Sequence, residues 1–206
     1  MVRKMRNEIQ KFNQYTNEIY QLEKYAMDKW EYEEIQSHFL SHPAQRHWWL
    51  LTRMLKGSGA REAEMMRLTP SHTERVGDVM VIHIKRGKKQ NLERTDVYSK
   101  IPLKPELSFD LDQYIKINGI RAGEKIWPYT ARAYQIAFKK AAIARLGIAR
   151  HPHELRGAYI RDGMDQGASV EEMGVMVGHT DTKTTWKHYY NVEPNRRKDI
   201  NSRIYI

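Results

Sequence analysis

His151-Pro152-His153-Glu154-Leu155-Arg156, then Val177-Gly178-His179, then Trp186-Lys187-His188-Tyr189-Tyr190: these three pieces, all within residues 151–192, decide how the chain is read. His153 and Arg156 stand three residues apart, a spacing that makes them neighbours on one helix face and lets an imidazole and a guanidinium grip one phosphate. Val170, Met173, Val175, Met176 and Val177 follow helical spacing. Gly178 can end that helix and leave His179 in a turn. The tandem tyrosine follows a polar, Thr-rich stretch. Cationic phosphate ligands followed by a phenol, on a strongly basic background, point to phosphodiester chemistry on DNA.

Outward from this stretch, composition sets the bounds. A chain of 206 residues, 40% hydrophobic, is long enough for one globular domain with a sizeable core. Its formal net charge of +10 attracts a polyanion and makes such binding salt-dependent, an attraction that an acidic membrane surface would share. No apolar run approaches the roughly twenty residues of a membrane span, and the basic N-terminus continues into charged sequence instead of a signal-type apolar core. These features predict a soluble intracellular protein with no membrane partner, cytoplasmic and beside the nucleoid, or in the host-cell cytoplasm if viral. The absence of cysteine excludes disulfides, thiolate nucleophiles and Cys-ligated zinc or iron–sulfur groups.

Met5, Ile9, Phe12, Ile19, Leu22 and Ala26 recur at helical intervals in a charged segment and predict an amphipathic helix over residues 3–28. Packing onto the main domain is its expected role; a remnant of a second DNA-contacting domain and a helix pairing between subunits are the alternatives. A helix is expected from Trp30 to about Leu40, with acidic residues in its first turn. Trp48-Trp49-Leu50-Leu51 with Met54 and Leu55 predicts a buried helix that ends at Lys56-Gly57-Ser58-Gly59. Residues 61–68 read as another helix, stopped by Thr69-Pro70. Residues 79–84 and 95–103 are β-branched and partly alternating, joined by polar residues 85–91 into a basic β-hairpin. Helices are expected over 107–117 and 131–146, the second capped by Gly147, with a turn at Trp127-Pro128-Tyr129 between them. The predicted class is therefore α+β, mainly α, with one small antiparallel β-sheet or hairpin.

Arg61 in Gly59-Ala60-Arg61-Glu62-Ala63-Glu64, Lys85, His153 and Arg156, His179 and Tyr189 occur in an order that resembles the tyrosine recombinase, or phage integrase, family. That family's signature runs Arg, Lys, His-x-x-Arg, His or Trp, and a nucleophilic Tyr. The resemblance covers residues 30–193, most specifically from His153 to Tyr189. It implies a catalytic domain with a C-terminal tail over residues 30–206, residues 1–29 being an amphipathic helix or linker. It also implies site-specific cleavage and rejoining of double-stranded DNA through a 3′-phosphotyrosyl intermediate, with no metal or other cofactor. The partners implied are a homotetramer at synapsis and an accessory DNA-bending protein, and a mobile element is the natural home.

The residue types suit that chemistry. An attacking phenol must lose a proton whose ordinary pKa is about 10 while negative charge grows on the phosphoryl oxygens. By resemblance, Arg61 and Arg156 hold the non-bridging oxygens, His153 assists proton transfer from the tyrosine, His179 hydrogen-bonds the phosphate, and Lys85 protonates the departing 5′-oxygen.

Several alternatives stay open at this level. Tyr189 follows His179 by ten residues and Tyr190 by eleven, with His188 at the ninth position, and the family's usual spacing of nine or ten favours Tyr189. Lys85 at the strand end is favoured over Lys88 and Lys89, which read as a solvated hairpin tip touching phosphates nonspecifically. Gly157 stands where many relatives carry a further histidine. His151 and His153 form a His-x-His, but without cysteines or a nearby acidic cluster a metal site is not expected, and His151 is read as a surface residue or one standing behind His153. His38, His42, His47, His72 and His83 are assigned no function, and Trp48-Trp49 and the Met-rich helix after Val170 are read as core. Most relatives carry a helical DNA-clamping domain of roughly a hundred residues before the catalytic one, where this sequence has about thirty, so the expectation is a fragment or a minimal recombinase with weaker DNA affinity and reliance on partners. Residues 191–206 resemble tails that dock on a neighbouring protomer, with a disordered tail as the alternative. The rival readings are a noncatalytic DNA-binding protein with the same fold and a type IB topoisomerase.

Overall fold

The computed structural model describes residues 26–86 and 97–178. The expected helix over 3–28 lies outside them except for its last residues, which are not helical: Met27 is fully buried in the core and Asp28 caps the next helix.

Helix α1 (Lys29–Ser41) opens with the Asp28 backbone N–H donating to the Glu31 carboxylate at 3.0 Å, and it buries Ile35 and Phe39, one turn apart. A 3₁₀ turn at Pro43–Gln45 leads into α2 (Arg46–Ser58). Trp48, Leu50, Leu51, Met54 and Leu55 are all buried, as expected of a helix enclosed on most sides. Helix α2 is the centre of the fold, in contact with α1 and with the helices over Pro105–Ile117, Ala131–Leu146 and His153–Asp165. Its one central polar group is satisfied: Thr52 Oγ1 donates to the Trp48 carbonyl at 2.7 Å and lies 2.9 Å from the Tyr134 hydroxyl.

The next helix is shorter than expected. α3 (Glu62–Met65) ends before Leu68, whose carbonyl accepts the Ile126 backbone N–H at 3.0 Å. The expected hairpin is a three-stranded antiparallel sheet in the order β1 (Thr73–Val76), β2 (Val79–Arg86), β3 (Val97–Pro102). Thr73 pairs with Ile82 and Ile82 with Ile101. Met80, Ile82 and Ile84 of the central strand are buried while Lys85 is exposed, the period-two alternation of a strand with one face on the core. Helix α4 (Pro105–Ile117) packs between α2 and β2, where Ser108 Oγ accepts the Met80 backbone N–H at 2.9 Å.

Helix α5 (Ala131–Leu146) starts at Thr130, whose side chain accepts the Ala133 N–H, stops at Gly147, and lays Tyr134, Phe138, Ala141 and Ala142 into the core. Helix α6 (His153–Asp165) packs on α2. Helix α7 (Val170–Val177) begins with a reciprocal cap, the Ser169 side chain accepting the Glu172 N–H and the Glu172 carboxylate accepting the Ser169 N–H. It packs on α6 through Met173 and Val177. No helix among the described residues is long and apolar enough to cross a membrane.

Candidate active site

The site is assembled where α2 ends, α6 begins and α7 ends. Helix α2 terminates at Gly59, which takes a left-handed backbone (φ 60°) that a side chain would strain. Nor is there room for one: a Cβ at Gly59 would stand 2.4 Å from Tyr159 Cδ1 on α6 and 3.0 Å from Val177 Cγ1 on α7. The turn after Gly59 presents Arg61 at the start of α3. Its backbone N–H donates to Glu64 Oε2 at 3.0 Å and its Nη1 to Glu64 Oε1 at 2.8 Å. Glu64 is almost wholly buried while the Arg61 side chain stays 35% exposed, so the carboxylate fixes the base of a guanidinium that still reaches solvent.

Arg156 lies one turn into α6 and is buried. Its Nη1 donates to the Gly59 carbonyl at 2.6 Å and its Nη2 to the Val177 carbonyl at 2.8 Å. One side chain thereby ties the end of α2 to the end of α7. Gly178, again left-handed (φ 70°), closes α7 immediately before His179.

His153 is the first residue of α6 and is exposed. Desolvation by the surrounding protein lowers its pKa below the ordinary imidazole value; the Glu62 carboxylate opposes that, while Arg156, His151 and Arg61 add to it. The turn before it is braced from α1. Arg150 donates through Nε at 3.0 Å and through Nη2 to the buried Glu31, and stands 3.2 Å from Glu154. Glu154 in turn accepts the His151 backbone N–H at 2.8 Å, and burial raises its carboxyl pKa. Further along, Arg161 binds Asp28 at 2.9 Å and the Met27 carbonyl at 2.7 Å.

Of the residues expected from sequence, Arg61, His153 and Arg156 are therefore brought together. Lys85 sits on β2, a strand that packs against α3, the helix opened by Arg61. His179, Tyr189, Tyr190, Lys88 and Lys89 lie outside the described residues. Sequence reading missed Gly59 as the acceptor for Arg156, a contact that no local pattern signals. For the Arg61–Glu64 pair, the Arg-x-x-Glu spacing at a helix start is the signal in the sequence.

The sequence pattern of the phage integrase family matches residues 25–196, and the chain belongs to that family. It is 30% identical over 173 residues to y4eF of Sinorhizobium fredii, a protein named as an integrase/recombinase, covering 80% of this chain and 64% of that one. The fold is similar to the Tn1549 transposon integrase in complex with transposon right end DNA (TM-score 0.70, 16% identity, 89% of this chain and 67% of that one). It is also similar to the XerH site-specific recombinase bound to its difH substrate (TM-score 0.68, 16% identity, 88% and 55%). The catalytic domain of bacteriophage HP1 integrase matches at TM-score 0.60 and 15% identity, over 87% of this chain and 95% of that domain. This chain thus spans less than two thirds of the y4eF and XerH chains. The mainly α fold with its small antiparallel sheet is that of tyrosine recombinase catalytic domains.

Proposed function

We propose that this chain cuts and rejoins double-stranded DNA at specific sites through a 3′-phosphotyrosyl intermediate. The observation that carries the reading is the fork of Arg156, which draws together three pieces distant in sequence: the turn of Arg61, the start of the His153 helix and the turn that precedes His179. In the proposed step the phenolate oxygen of Tyr189 attacks phosphorus, the new P–O bond replaces the P–O5′ bond, and the number of phosphoester bonds is conserved. The phenolic proton goes to His153, and Lys85 delivers a proton to the departing 5′-oxygen. Arg61 and Arg156, with His179, stabilise the charge that grows on the non-bridging oxygens. The balance needs neither an energy-rich cofactor nor a metal.

The same reading assigns residues 30–206 to a catalytic domain with its tail and residues 1–29 to a helix or linker. The similarity to nearly the whole HP1 catalytic domain supports this. It also takes four copies at synapsis, an accessory DNA-bending protein and a cytoplasmic location, beside the nucleoid or, for a viral protein, in the host cell.

The test is adduct trapping on a nicked suicide substrate carrying the element's own site, in EDTA, followed by denaturing electrophoresis and peptide mapping. The expected result is an adduct on Tyr189, abolished by Tyr189→Phe with DNA binding retained and unaffected by Tyr190→Phe. The reverse pattern moves the nucleophile to Tyr190. DNA binding without any adduct favours a noncatalytic DNA-binding protein, and supercoil relaxation without recombinant products favours a topoisomerase.

A further inference from the structure

Arg150 is a cation beside the site that the proposed chemistry does not use. It lies three residues before His153, yet its guanidinium is taken up inside the protein, the side chain being 18% exposed. Nε at 3.0 Å and Nη2 both donate to Oε1 of Glu31 on α1, a side chain only 3% exposed. The other Glu31 oxygen accepts the Asp28 backbone N–H at 3.0 Å. The remaining arm of the fork, Nη1, stands 3.2 Å from Oε2 of Glu154, a buried atom with no hydrogen-bond partner among the described residues. Arg150 thus lies between two carboxylates, and its removal would strip both of the counter-charge that offsets their burial.

From Glu154 the line of contacts continues to the histidine. Glu154 Oε1 accepts the His151 backbone N–H at 2.8 Å, and the Glu154 N–H donates to the His151 carbonyl at 3.0 Å, which closes the turn from both sides. His151 Nδ1 in turn accepts the His153 backbone N–H at 3.1 Å. Helix α6 begins at His153, and the first N–H groups of a helix have no partner within it, so this bond fixes how α6 starts. Every link is local except the first, in which Glu31 and Arg150 are 119 residues apart. A buried ion group adds little net stability, because desolvation offsets its attraction. What it supplies is a single arrangement in which each charge is paired.

We propose that Glu31 is a positioning residue for His153, holding through Arg150 and Glu154 the turn that starts the histidine's helix. The role rests on the cleavage reading above. Glu31 touches neither DNA nor the reacting groups, and Arg150, with all three of its side-chain nitrogens engaged by carboxylates, is not a phosphate ligand.

The experiment measures backbone amide exchange by NMR, adduct formation and DNA binding in the full chain, wild type against Glu31→Gln and Arg150→Gln. In both variants the His151 and His153 N–H groups are expected to exchange about tenfold faster while the amides of α2 and α5 keep their wild-type rates. Adduct formation slows by about tenfold through misplacement of the imidazole, DNA affinity and its salt dependence are unchanged, and Glu31→Asp restores part of the rate. A Glu31→Gln, Glu154→Gln double variant is no slower than the worse of the two single variants, as expected of groups acting in one line. Losses that multiply, or unaltered exchange at His151 and His153, would overturn the proposal. A log–log salt slope shallower by about one in Arg150→Gln would make Arg150 a phosphate contact instead. In the wild type the Arg150 Nε–H should be as well protected from exchange as the His151 amide; its rapid exchange would defeat the proposal even if the variants failed to fold. A wild type that forms no adduct sinks the cleavage reading, and the exchange rates still decide whether Glu31 holds the turn.

Discussion

Arg156 commits two of its donors to carbonyls of its own chain, so its charge and its shape do separate work. Arg156→Ala leaves the carbonyls of Gly59 and Val177 without that donor in a buried place, at a cost of about 2–5 kcal/mol for the pair. A clear loss of thermal stability is expected in a melting experiment. Arg156→Lys keeps the charge but presents a compact ammonium that cannot reproduce a planar fork. The lysine variant should fold and bind DNA while adduct formation falls about a hundredfold. Cleavage at the wild-type rate would show that charge alone suffices. Glu64 gives Arg61 a different treatment, since a carboxylate anchors its guanidinium where backbone oxygens anchor that of Arg156.

At the scale of elements, the junction of α2, α6 and α7 turns on Gly59. Gly59→Ala adds a methyl group to a left-handed position already closed by Tyr159 and Val177. Strain and overpacking together amount to roughly 2–4 kcal/mol. The expected outcome is a lowered melting temperature together with slower adduct formation, because the displaced turn carries Arg61. The end of α2 was legible in the sequence through its glycines, and α2 itself through a dense apolar run. Strand β1 was not: of Thr73, Glu74, Arg75 and Val76, the last three are exposed, so no apolar alternation marks them, and their pairing is dictated by β2 across the turn. Helix α3 looked longer because Met65, Met66 and Leu68 are all core residues, but Leu68 reaches the core as the partner of Ile126 rather than as a helical residue. In the site, Arg61, His153 and Arg156 were legible as motifs. The carbonyls that hold Arg156 and the Glu62 carboxylate beside His151 were not, because those contacts join different elements, Gly59 lying 97 residues and Val177 21 residues from Arg156.

For the molecule as a whole, a net charge of +10 predicts that DNA affinity is set largely by phosphate contacts. Titrations at increasing salt should give a log–log slope steeper than about −3. A shallow slope would mean that few phosphates are engaged. The path by which the chain enters the domain bears on the same surface. Met27 donates its N–H to the Glu154 carbonyl, its own carbonyl and Asp28 are gripped by Arg161, and Glu31 holds Arg150. Cargo joined by a short stiff spacer ahead of Ala26 would thus load the helix of His153 and Arg156 directly, making the amino-terminal side a handle by which the reacting groups can be detuned from a distance.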